Sequence, residues 1–479
     1  MRDSIVLYVN GERREIRGAS VFQPLATYLR DELGLTGTKV VCSEGDCGSC
    51  TVLLGRPRSA SIEYRSLCSC VQFVFQADGC HVVTVEGLGS NGGLDPVQEA
   101  LVQHHGTQCG FCTPGIVMSI HALLETDPIL SESRLRQGLV GNLCRCTGYD
   151  PIVRAGLQIE TGRTQRMNQL FNSSAMLAEL ALARVQHVFV ESAGKAFFKP
   201  TAIADAVHFK STHPDCVIIS GGTDLGVQVN KGVREIKTTL STAALPELSS
   251  LSISDNEIVA GANLSISELE AAVTDAIPEY AAMIARFGSP QIRNVATLGG
   301  NIANASPIGD TMPALFVLHA QVELSGAKGS RWIDMNDFYI GYKQTVAASD
   351  ELISRVSIPR LGSGEVLRLY KVSKRQDLDI STFSAAFWLK LSGRTIQDIR
   401  IAYGGVAERI VRMPNTEAHL KGRELSVEAF ESAGEKALSE ISPISDVRGA
   451  AEYRNLLAAN ILRKLYYDLD ADRKQASTA

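Results

Sequence analysis

The sequence carries no excess of positive charge and opens without a long apolar run. Its 479 residues have a formal net charge of −5, which argues against a nucleic-acid-binding surface and against a polybasic membrane patch. Residues 1–10 alternate between polar and apolar side chains as a strand does. They predict neither a signal peptide nor a membrane-spanning helix, so we expect a cytoplasmic protein.

Internal repeats and low-complexity segments are also absent from the sequence. Apolar residues make up 45% of the chain and charged residues 21%, which is usual for a globular protein. A chain of 479 residues is too long to fold around one core. The sequence therefore predicts several domains.

Eight of the eleven cysteines lie in two spaced sets, and the first set has the spacing Cys42-x4-Cys47-x2-Cys50. This is the spacing of plant-type ferredoxins, in which four thiolates hold a [2Fe–2S] cluster. Zinc knuckles usually pair two C-x2-C units, so zinc fits this set less well. Cys68 and Cys70 follow, and spacing alone does not decide which of them is the fourth ligand.

The second set consists of Cys109-x2-Cys112 followed by Cys144-x-Cys146. Read alone, these two close pairs could bind zinc. Their position directly after a ferredoxin-type loop favours a second cluster. In a reducing cytosol the cysteines of both sets are expected to be metal ligands and not disulfides.

Residues 1–86 predict a small β-rich domain in the order of a ferredoxin-like β-grasp. The predicted elements are a hairpin over residues 5–9 and 15–16 with its turn at Asn10–Gly11, a helix over 24–33, and strands at 51–54 and 82–85. Residues 87–160 predict a helical domain. Its four helices begin near residues 95, 114, 131 and 151. The second cysteine set lies at the starts of two of them, where the helix dipole favours a negatively charged cluster.

The rest of the chain predicts a linker and two further domains. Residues 161–194 show no clear pattern and are interpreted as a linker, with a helix possible at 173–185. Residues 195–367 contain apolar strands followed by glycine-rich turns, and residues 368–479 contain a strand at 399–403 and a helix at 453–469. No strand of the 195–367 region is followed by G-x-G-x-x-G, so the Rossmann argument for dinucleotide binding does not apply there.

Residues 108–115 (QCGFCTPG) and 144–149 (CRCTGY) resemble the second-cluster motif of the molybdenum hydroxylases. The resemblance runs from about residue 3 to residue 470. Within that family the chain is most similar to the small, iron–sulfur and FAD subunits of bacterial two-subunit xanthine dehydrogenases. The resemblance also favours Cys70 over Cys68, because Cys70 fits the position of the family's fourth ligand ahead of the strand at Thr84–Gly87.

The resemblance implies a multidomain α+β fold. Its parts are a ferredoxin-like β-grasp domain, a four-helix iron–sulfur domain, an α+β FAD-binding domain of the vanillyl-alcohol-oxidase-like type and a C-terminal α+β domain. It further implies two [2Fe–2S] clusters. Their ligands are Cys42, Cys47, Cys50 and Cys70 for the first, and Cys109, Cys112, Cys144 and Cys146 for the second.

The FAD site is implied by resemblance alone, because each glycine-rich turn taken singly is better explained as a connection that needs unusual φ. Two turns would wrap the pyrophosphate: Ile218, Ile219, Ser220, Gly221, Gly222, Thr223, Asp224 and Leu225 in the first, and Thr297, Leu298, Gly299, Gly300 and Asn301 in the second. Phe287 would contact the nucleotide and Asp310 would hydrogen-bond to it. Ile353 would line the flavin pocket, and Lys371 would open a loop beside the isoalloxazine.

The function implied by the resemblance is electron transfer from a molybdenum centre through the two clusters to FAD and then to NAD+. The sequence ends in a polar tail after Leu469, so we expect purine hydroxylation on a partner chain that binds molybdopterin, in an α2β2 assembly, with no catalytic residue on this chain. Another molybdenum hydroxylase, acting on a different N-heterocycle or an aldehyde, would carry the same motifs. A zinc-stabilised binding scaffold without redox function is the alternative of another class.

Overall fold

The computed structural model describes residues 1–89 and 93–478, which form two compact units. The first unit contains Met1–Pro246 and Gly288–Ala296, and the second contains Glu247–Phe287 and the residues from Thr297 onward. Both units combine sheets with helices, and the predicted multidomain α+β fold is confirmed. Among the described residues, none of the helices has the length and apolar character that crossing a bilayer requires.

The first unit begins with a five-stranded sheet in the order β2-β1-β5-β3-β4. Its strands are β1 (Ile5–Val9), β2 (Glu12–Ile16), β3 (Thr51–Arg58), β4 (Ser61–Cys68) and β5 (His81–Val83). β1 runs antiparallel to β2 and parallel to β5. The predicted hairpin is confirmed, because Asn10 and Gly11 both adopt positive φ, 49° and 84°, as a two-residue hairpin turn requires.

One helical segment and four 3₁₀ turns complete this sheet domain. Helix α1 (Leu25–Thr27) continues as a π-helical turn over Tyr28–Glu32 and ends ahead of Gly34, whose φ is 70°. The 3₁₀ turns are Gly18–Phe22, Ser69–Val71, Val74–Ala77 and Val85–Gly87.

The four predicted helices of the next region are present as α2 (Pro96–Gln103), α3 (Thr113–Leu124), α4 (Glu132–Gly138) and α5 (Asp150–Leu157). Asp95 caps α2 by accepting the Gln98 N–H at 2.9 Å. Ile116, Leu135 and Ile152 belong to the buried core of these helices. Val102 is 57% exposed, because Leu101 takes the buried position on α2 and the next residue lies about 100° further around the helix.

The segment 161–194, predicted as a linker, is largely built of regular elements. These are a 3₁₀ turn at Thr161–Arg163, α6 (Met167–Leu170), α7 (Ser174–Arg184) and β6 (Val188–Ser192). Met167, Met176 and Leu180 are buried in a core shared with Leu53 and Val83 of the β-grasp sheet. The sequence pattern was weak here because only a few widely spaced apolar residues face that sheet.

The remainder of the first unit is a four-stranded sheet with two helices. The order is β6-β7-β9-β8, with β7 (Lys195–Lys199), β8 (Val217–Ile219) and β9 (Thr238–Ser241) mutually parallel. Helices α8 (Ile203–Thr212) and α9 (Thr223–Asn230) connect these strands. The separate segment Gly288–Ala296 carries a short helix, Pro290–Arg293.

The second unit contains the rest of the region 195–367 and the C-terminal region from residue 368 onward. A five-stranded sheet has the order β10-β11-β16-β12-β13. The strands of this sheet are β10 (Leu251–Ile253), β11 (Glu257–Gly261), β12 (Gln321–Gly326), β13 (Gly329–Asp334) and β16 (Leu352–Pro359). A separate hairpin consists of β14 (Tyr339–Gly341) and β15 (Gln344–Thr345). The helices in this part of the chain are Ile266–Val273, Pro278–Ile284, Leu298–Ala303, Met312–Val317 and Met335–Phe338.

The C-terminal region is an antiparallel sheet covered by helices. The strands are β17 (Glu365–Val372), β18 (Phe383–Ser392), β19 (Thr395–Gly404) and β20 (Val411–Arg412), and the helices are Pro414–Leu420, Val427–Ala437 and Ala451–Thr478. Phe387, Tyr403, Phe430 and Leu462 form part of its buried core. The strand predicted at 399–403 is confirmed within β19, and the last helix extends past its predicted end at residue 469.

Candidate functional site

The first cysteine set converges beside the end of β4. Hydrogen bonds from Cys47 and Cys70 hold the pKa of the Cys42 thiol well below its usual range. Hydrogen bonds to Cys42 and then Cys50 raise the pKa of Cys70. Cys47, Cys50 and Cys70 are buried and Cys42 is half-buried, so four sulfur atoms meet in a place that is largely closed to water.

Cys68 lies next to this group but is engaged differently. Its thiol donates to the carbonyl oxygen of Gly45 at 3.5 Å, and a hydrogen bond with Cys50 raises its pKa. Cys70 hydrogen-bonds to two of the three cysteines of the C-x4-C-x2-C motif. Cys70 thus contacts two cysteines of the motif and Cys68 contacts one, and the choice of Cys70 as the fourth ligand stays a prediction.

The cysteines of the second set also lie close together, in two pairs. Burial, followed by a hydrogen bond with Cys144, raises the pKa of Cys112 to about 12. A hydrogen bond with Cys109 raises the pKa of Cys146. Cys112 and Cys144 are buried, while Cys109 and Cys146 are exposed. This set therefore has an inner pair of sulfur atoms and an outer pair that faces solvent.

Two side chains from the turn ahead of α5 support the second set. The Thr147 hydroxyl lies 3.2 Å from the Cys144 sulfur, and the Tyr149 hydroxyl accepts the Cys144 N–H at 2.9 Å. Tyr149 itself has a positive φ of 71°. The turn is thus shaped around Cys144.

Within residues 1–89 and 93–478, no group of three or more His, Cys, Asp or Glu side chains is arranged to hold a metal ion. A zinc ion would require four ligands at about 2.3 Å from one point. A [2Fe–2S] cluster shares its four thiolates between two irons. In each set the sulfur atoms contact one another in pairs, as described above, and this arrangement suits a cluster of two irons better than a single ion.

Hydrogen bonds join the loops that carry the two sets. The Leu143 N–H donates to the carbonyl oxygen of Cys47 at 2.9 Å, and the side-chain amide of Asn142 donates to the carbonyl oxygen of Gly48 at 3.2 Å. A Cβ atom on Gly48 would lie 2.1 Å from the carbonyl oxygen of Gly141, and Gly48 has a φ of 69°. Glycine at position 48 is therefore required both by conformation and by the approach of the second loop.

The first glycine-rich turn also lies in the first unit, between β8 and α9. Ile218 and Ile219 end the strand, and Gly222 adopts a φ of 73° just ahead of the helix. A Cβ atom on Gly221 would lie 2.0 Å from the carbonyl oxygen of Val295. The first amides of α9 have no acceptor within the helix and form a site suited to a phosphate.

Helix α9 connects this turn to the first cysteine set. At the far end of the helix, the Asn230 amide donates to the carbonyl oxygens of Cys70 at 2.8 Å and Ser43 at 2.9 Å. A Cβ atom on Gly226 would lie 2.2 Å from the carbonyl oxygen of Val71. One helix therefore supports the turn at its start and contacts the cysteine loops along its length. Asn230 could not be identified from the sequence, because an isolated asparagine belongs to no motif.

The second glycine-rich turn lies in the second unit and is built differently. Thr297 caps the helix Leu298–Ala303 and accepts the Gly300 N–H at 3.1 Å. The N–H groups of Leu298 and Gly299 donate to the carbonyl oxygens of Leu264 and Ala262, each at 2.9 Å. The amides of Leu298, Gly299 and Gly300 are thus already bonded within the second unit. The role predicted for this turn at a pyrophosphate stays a prediction.

Asp310 and Lys371, predicted at different parts of a flavin site, form a buried ion pair in the second unit. Lys371 Nζ lies 2.6 Å from Asp310 Oδ2, and it also donates to the carbonyl oxygen of Arg286 at 3.0 Å. The hydroxyl of buried Ser381 donates to the other carboxylate oxygen of Asp310. Phe287 and Ile353, also predicted at that site, are half-buried in this unit.

Three family models match separate regions of the chain. Residues 84–157 match a [2Fe-2S] binding domain, residues 191–361 match the FAD binding domain in molybdopterin dehydrogenase, and residues 368–469 match the CO dehydrogenase flavoprotein C-terminal domain. These regions contain the second cysteine set, both glycine-rich turns and the Asp310–Lys371 pair.

Similar proteins cover nearly the whole chain. Xanthine dehydrogenase 1 of Arabidopsis thaliana is 30% identical over 99% of this chain and 40% of its own length. Aldehyde oxidase 3 of Mus musculus is 29% identical over 98% of this chain and 39% of its own length. The chain thus spans about two fifths of the length of these curated relatives.

Among solved structures, reconstituted CO dehydrogenase from Oligotropha carboxidovorans has a chain that is 27% identical, with a TM-score of 0.53. The match covers 56% of this chain and 94% of that chain. The three domain matches lie in order along the sequence. Together with these alignments, they show that the chain has [2Fe–2S]-binding and FAD-binding domains and is similar to molybdenum hydroxylases.

Proposed function

We propose that this chain is the electron-transfer subunit of a xanthine dehydrogenase, carrying two [2Fe–2S] clusters and FAD. The observation that supports this most is the arrangement of the first unit. Two sets of cysteines meet there through touching loops, and α9 connects the first set to a glycine-rich turn. When bound, the clusters would each carry one electron, and FAD would exchange single electrons with them and a hydride with NAD+.

The proposed ligands of the clusters are the two sets of four cysteines. Cys42, Cys47, Cys50 and Cys70 would hold the first, and Cys109, Cys112, Cys144 and Cys146 would hold the second. The burial of Cys50 and Cys70 keeps water away from the first set. The thiol of Cys68 remains a hydrogen-bond donor to Gly45 in this proposal.

The residues proposed to bind FAD are those named by resemblance. In the first unit, Gly221, Gly222 and Thr223 would offer backbone amides to the pyrophosphate at the start of α9. In the second unit, the Asp310–Lys371 pair would supply a buried carboxylate and ammonium to the nucleotide. Phe287 and Ile353 would supply apolar contacts.

We further propose a molybdopterin-binding partner chain, in an α2β2 assembly, that docks on the outer face of the second cysteine set. Gln108, Cys109 and Cys146 are exposed there. Phe111 is 56% exposed and Leu143 is 38% exposed. Large apolar side chains around exposed thiols are typical of a surface that a partner covers.

Xanthine is the proposed substrate of that assembly, and NAD+ the proposed acceptor. The similarity to xanthine dehydrogenases supports this choice. The similarity to an aldehyde oxidase, at nearly the same identity, makes an aldehyde or another heterocycle the second candidate. The substrate pocket would lie on the partner, so residues of this chain do not separate the two.

The visible spectrum and metal content of the purified chain test the cofactor assignment. The proposal expects a brown protein with four irons, because each of two clusters has two, and with bound flavin absorption. A colourless protein that contains zinc would overturn it and support a non-redox scaffold instead.

The substrate is tested on the protein purified together with its partner chain. We expect xanthine to reduce NAD+ and aldehydes or other N-heterocycles to do so poorly. Rapid oxidation of an aldehyde without oxidation of xanthine would support the second candidate and leave the electron-transfer role intact.

A further inference from the structure

Two glutamines of the β-grasp domain hold the peptide groups of the first glycine-rich turn. Gln72 Nε2 donates to the carbonyl oxygen of Gly221 at 2.9 Å. Gln76 Nε2 donates to the same oxygen at 3.1 Å and to the carbonyl oxygen of Ser220 at 3.2 Å. Two consecutive peptide groups of the turn are therefore fixed by side chains that lie more than 140 positions earlier in the chain.

The direction of these bonds determines where the amides of the turn point. A trans peptide group is planar, and its carbonyl and N–H point to opposite sides. Because the glutamines bind the carbonyls of Ser220 and Gly221, the N–H groups of Gly221 and Gly222 point away from the glutamines. These two N–H groups lie just ahead of the first turn of α9, where the helix dipole favours an anion.

Gln76 is itself held in place. Its Oε1 accepts the Phe73 N–H at 3.0 Å, which directs its amide nitrogen toward the turn. A Cβ atom on Gly222 would lie 2.8 Å from Gln76 Nε2, so glycine at position 222 is also what allows this approach. Gln72 is 5% exposed and follows the proposed ligand Cys70 by two residues.

We propose that Gln72 and Gln76 are positioning residues for FAD, which orient the amides of Gly221 and Gly222 toward the pyrophosphate. The inference rests on the proposed FAD site. Residues of the iron–sulfur region thereby complete the flavin-binding turn, so that the segment between Cys70 and Gln76 serves both the first cysteine set and the turn. Neither glutamine touches the flavin in this proposal.

Binding of FAD to the flavin-free protein tests the inference in Gln76→Met, in Gln72→Met and in the double variant. Methionine keeps the length of glutamine and removes the amide donor. We expect each single substitution to raise the Kd for FAD by about fivefold, and the double to raise it further, since a lost hydrogen bond of about 1 kcal/mol corresponds to that factor. Gln23→Met is the control, because the Gln23 side chain pairs with Glu32 at the surface.

Binding of ADP and of riboflavin distinguishes a loss of orientation in the turn from a general loosening of the FAD site. ADP contains the pyrophosphate and should lose affinity by the same factor as FAD, while riboflavin lacks it and should bind as it does to the wild type. Equal weakening of riboflavin and ADP would overturn the inference, as would an FAD Kd in the double variant within about twofold of the wild type.

Iron content and thermal unfolding show whether each variant is folded. Gln76 is half-buried, so Gln76→Met carries the test if Gln72→Met does not fold. A wild-type protein that binds neither FAD nor ADP would refute the proposed function itself. A wild type that binds FAD, together with variants that bind it equally well, would refute only the role of the glutamines.

Discussion

The side-chain amide of Gln291 donates to Asn142 Oδ1 at 3.0 Å, although the two residues are 149 positions apart in the chain. The same amide lies 3.1 Å from the Ser119 hydroxyl and 3.4 Å from the Thr51 hydroxyl. Gln291 is fully buried. A Cβ atom on Gly141 would lie 2.0 Å from Gln291 Oε1, so only glycine there admits this side chain. The segment Gly288–Ala296 is thus anchored between the loops of the two cysteine sets.

We predict that Gln291→Met destabilises the first unit. Methionine fits a similar volume, but Asn142, Ser119 and Thr51 lose a buried partner, which should lower the free energy of unfolding by about 1–3 kcal/mol. Urea unfolding measures the change. Gln103→Met, on the exposed side of α2, is the control and should stay within about 0.5 kcal/mol of the wild type. Equal stability of the two variants would contradict the anchoring role.

The fourth ligand of the first cluster is predicted to be Cys70. Cys70→Ser should remove the low-temperature EPR signal of the first cluster and leave that of the second, because Cys70 bonds to both Cys42 and Cys50. Cys68→Ser should keep both signals, since serine can still donate to the Gly45 carbonyl. The reverse pattern, with the signal lost only in Cys68→Ser, would make Cys68 the ligand.

Features set by local chemistry were predictable from the sequence. The spacing of Cys42, Cys47 and Cys50 identified the first set, because metal ligands on one loop need a fixed spacing. The Asn10–Gly11 turn and the start of a helix near residue 95 were predictable for the same reason: each depends on residues a few positions apart. The structure confirms the turn and the helix start, while the role of the three cysteines as ligands stays a prediction.

Contacts between distant segments were not predictable. Gln72, Gln76 and Gln291 each meet partners 144 or more positions away, and a single glutamine has no periodicity or spacing that would indicate a partner. Asp310 and Lys371 were identified separately by resemblance, and only the fold shows that they pair. Such residues can be identified only from the fold, which shows the polar groups that are buried together and that must therefore hydrogen-bond to one another.

The Asp310–Lys371 pair yields a prediction for the second unit. Lys371 is 8% exposed and Asp310 also 8%, so Lys371→Met leaves a buried carboxylate that has lost its cationic partner, although Ser381 still donates to it. The free energy of unfolding should fall by about 3–5 kcal/mol. Lys421→Met breaks a surface pair with Asp398 and should cost at most about 1 kcal/mol. Urea unfolding measures both changes. A similar loss of unfolding free energy in the two variants would show that the buried pair contributes no more to stability than the surface pair.

Burial of His81 in its neutral form should make the first unit less stable in mild acid. Its Nε2 accepts the Gly11 N–H at 3.0 Å and its Nδ1 lies 2.7 Å from the Tyr64 hydroxyl, while the Phe171 ring packs against it at 4.7 Å between centroids. Burial lowers the pKa of His81 from 6.5 to about 3. Between these values the unfolded chain binds a proton that the folded chain does not.

The contribution of His81 to stability is therefore complete above its unfolded pKa and is lost as pH falls toward the folded value, by at most about 1.4 kcal/mol per pH unit. Urea unfolding from about pH 7 down to pH 5 should show this slope in the wild type. His81→Gln removes the titrating group, so its free energy of unfolding should change less with pH. His104→Gln, a half-buried histidine on the end of α2, should keep the wild-type slope. If His81→Gln follows the wild-type pH dependence, the acid sensitivity arises from other groups, and His81 has the same pKa in the folded and the unfolded chain.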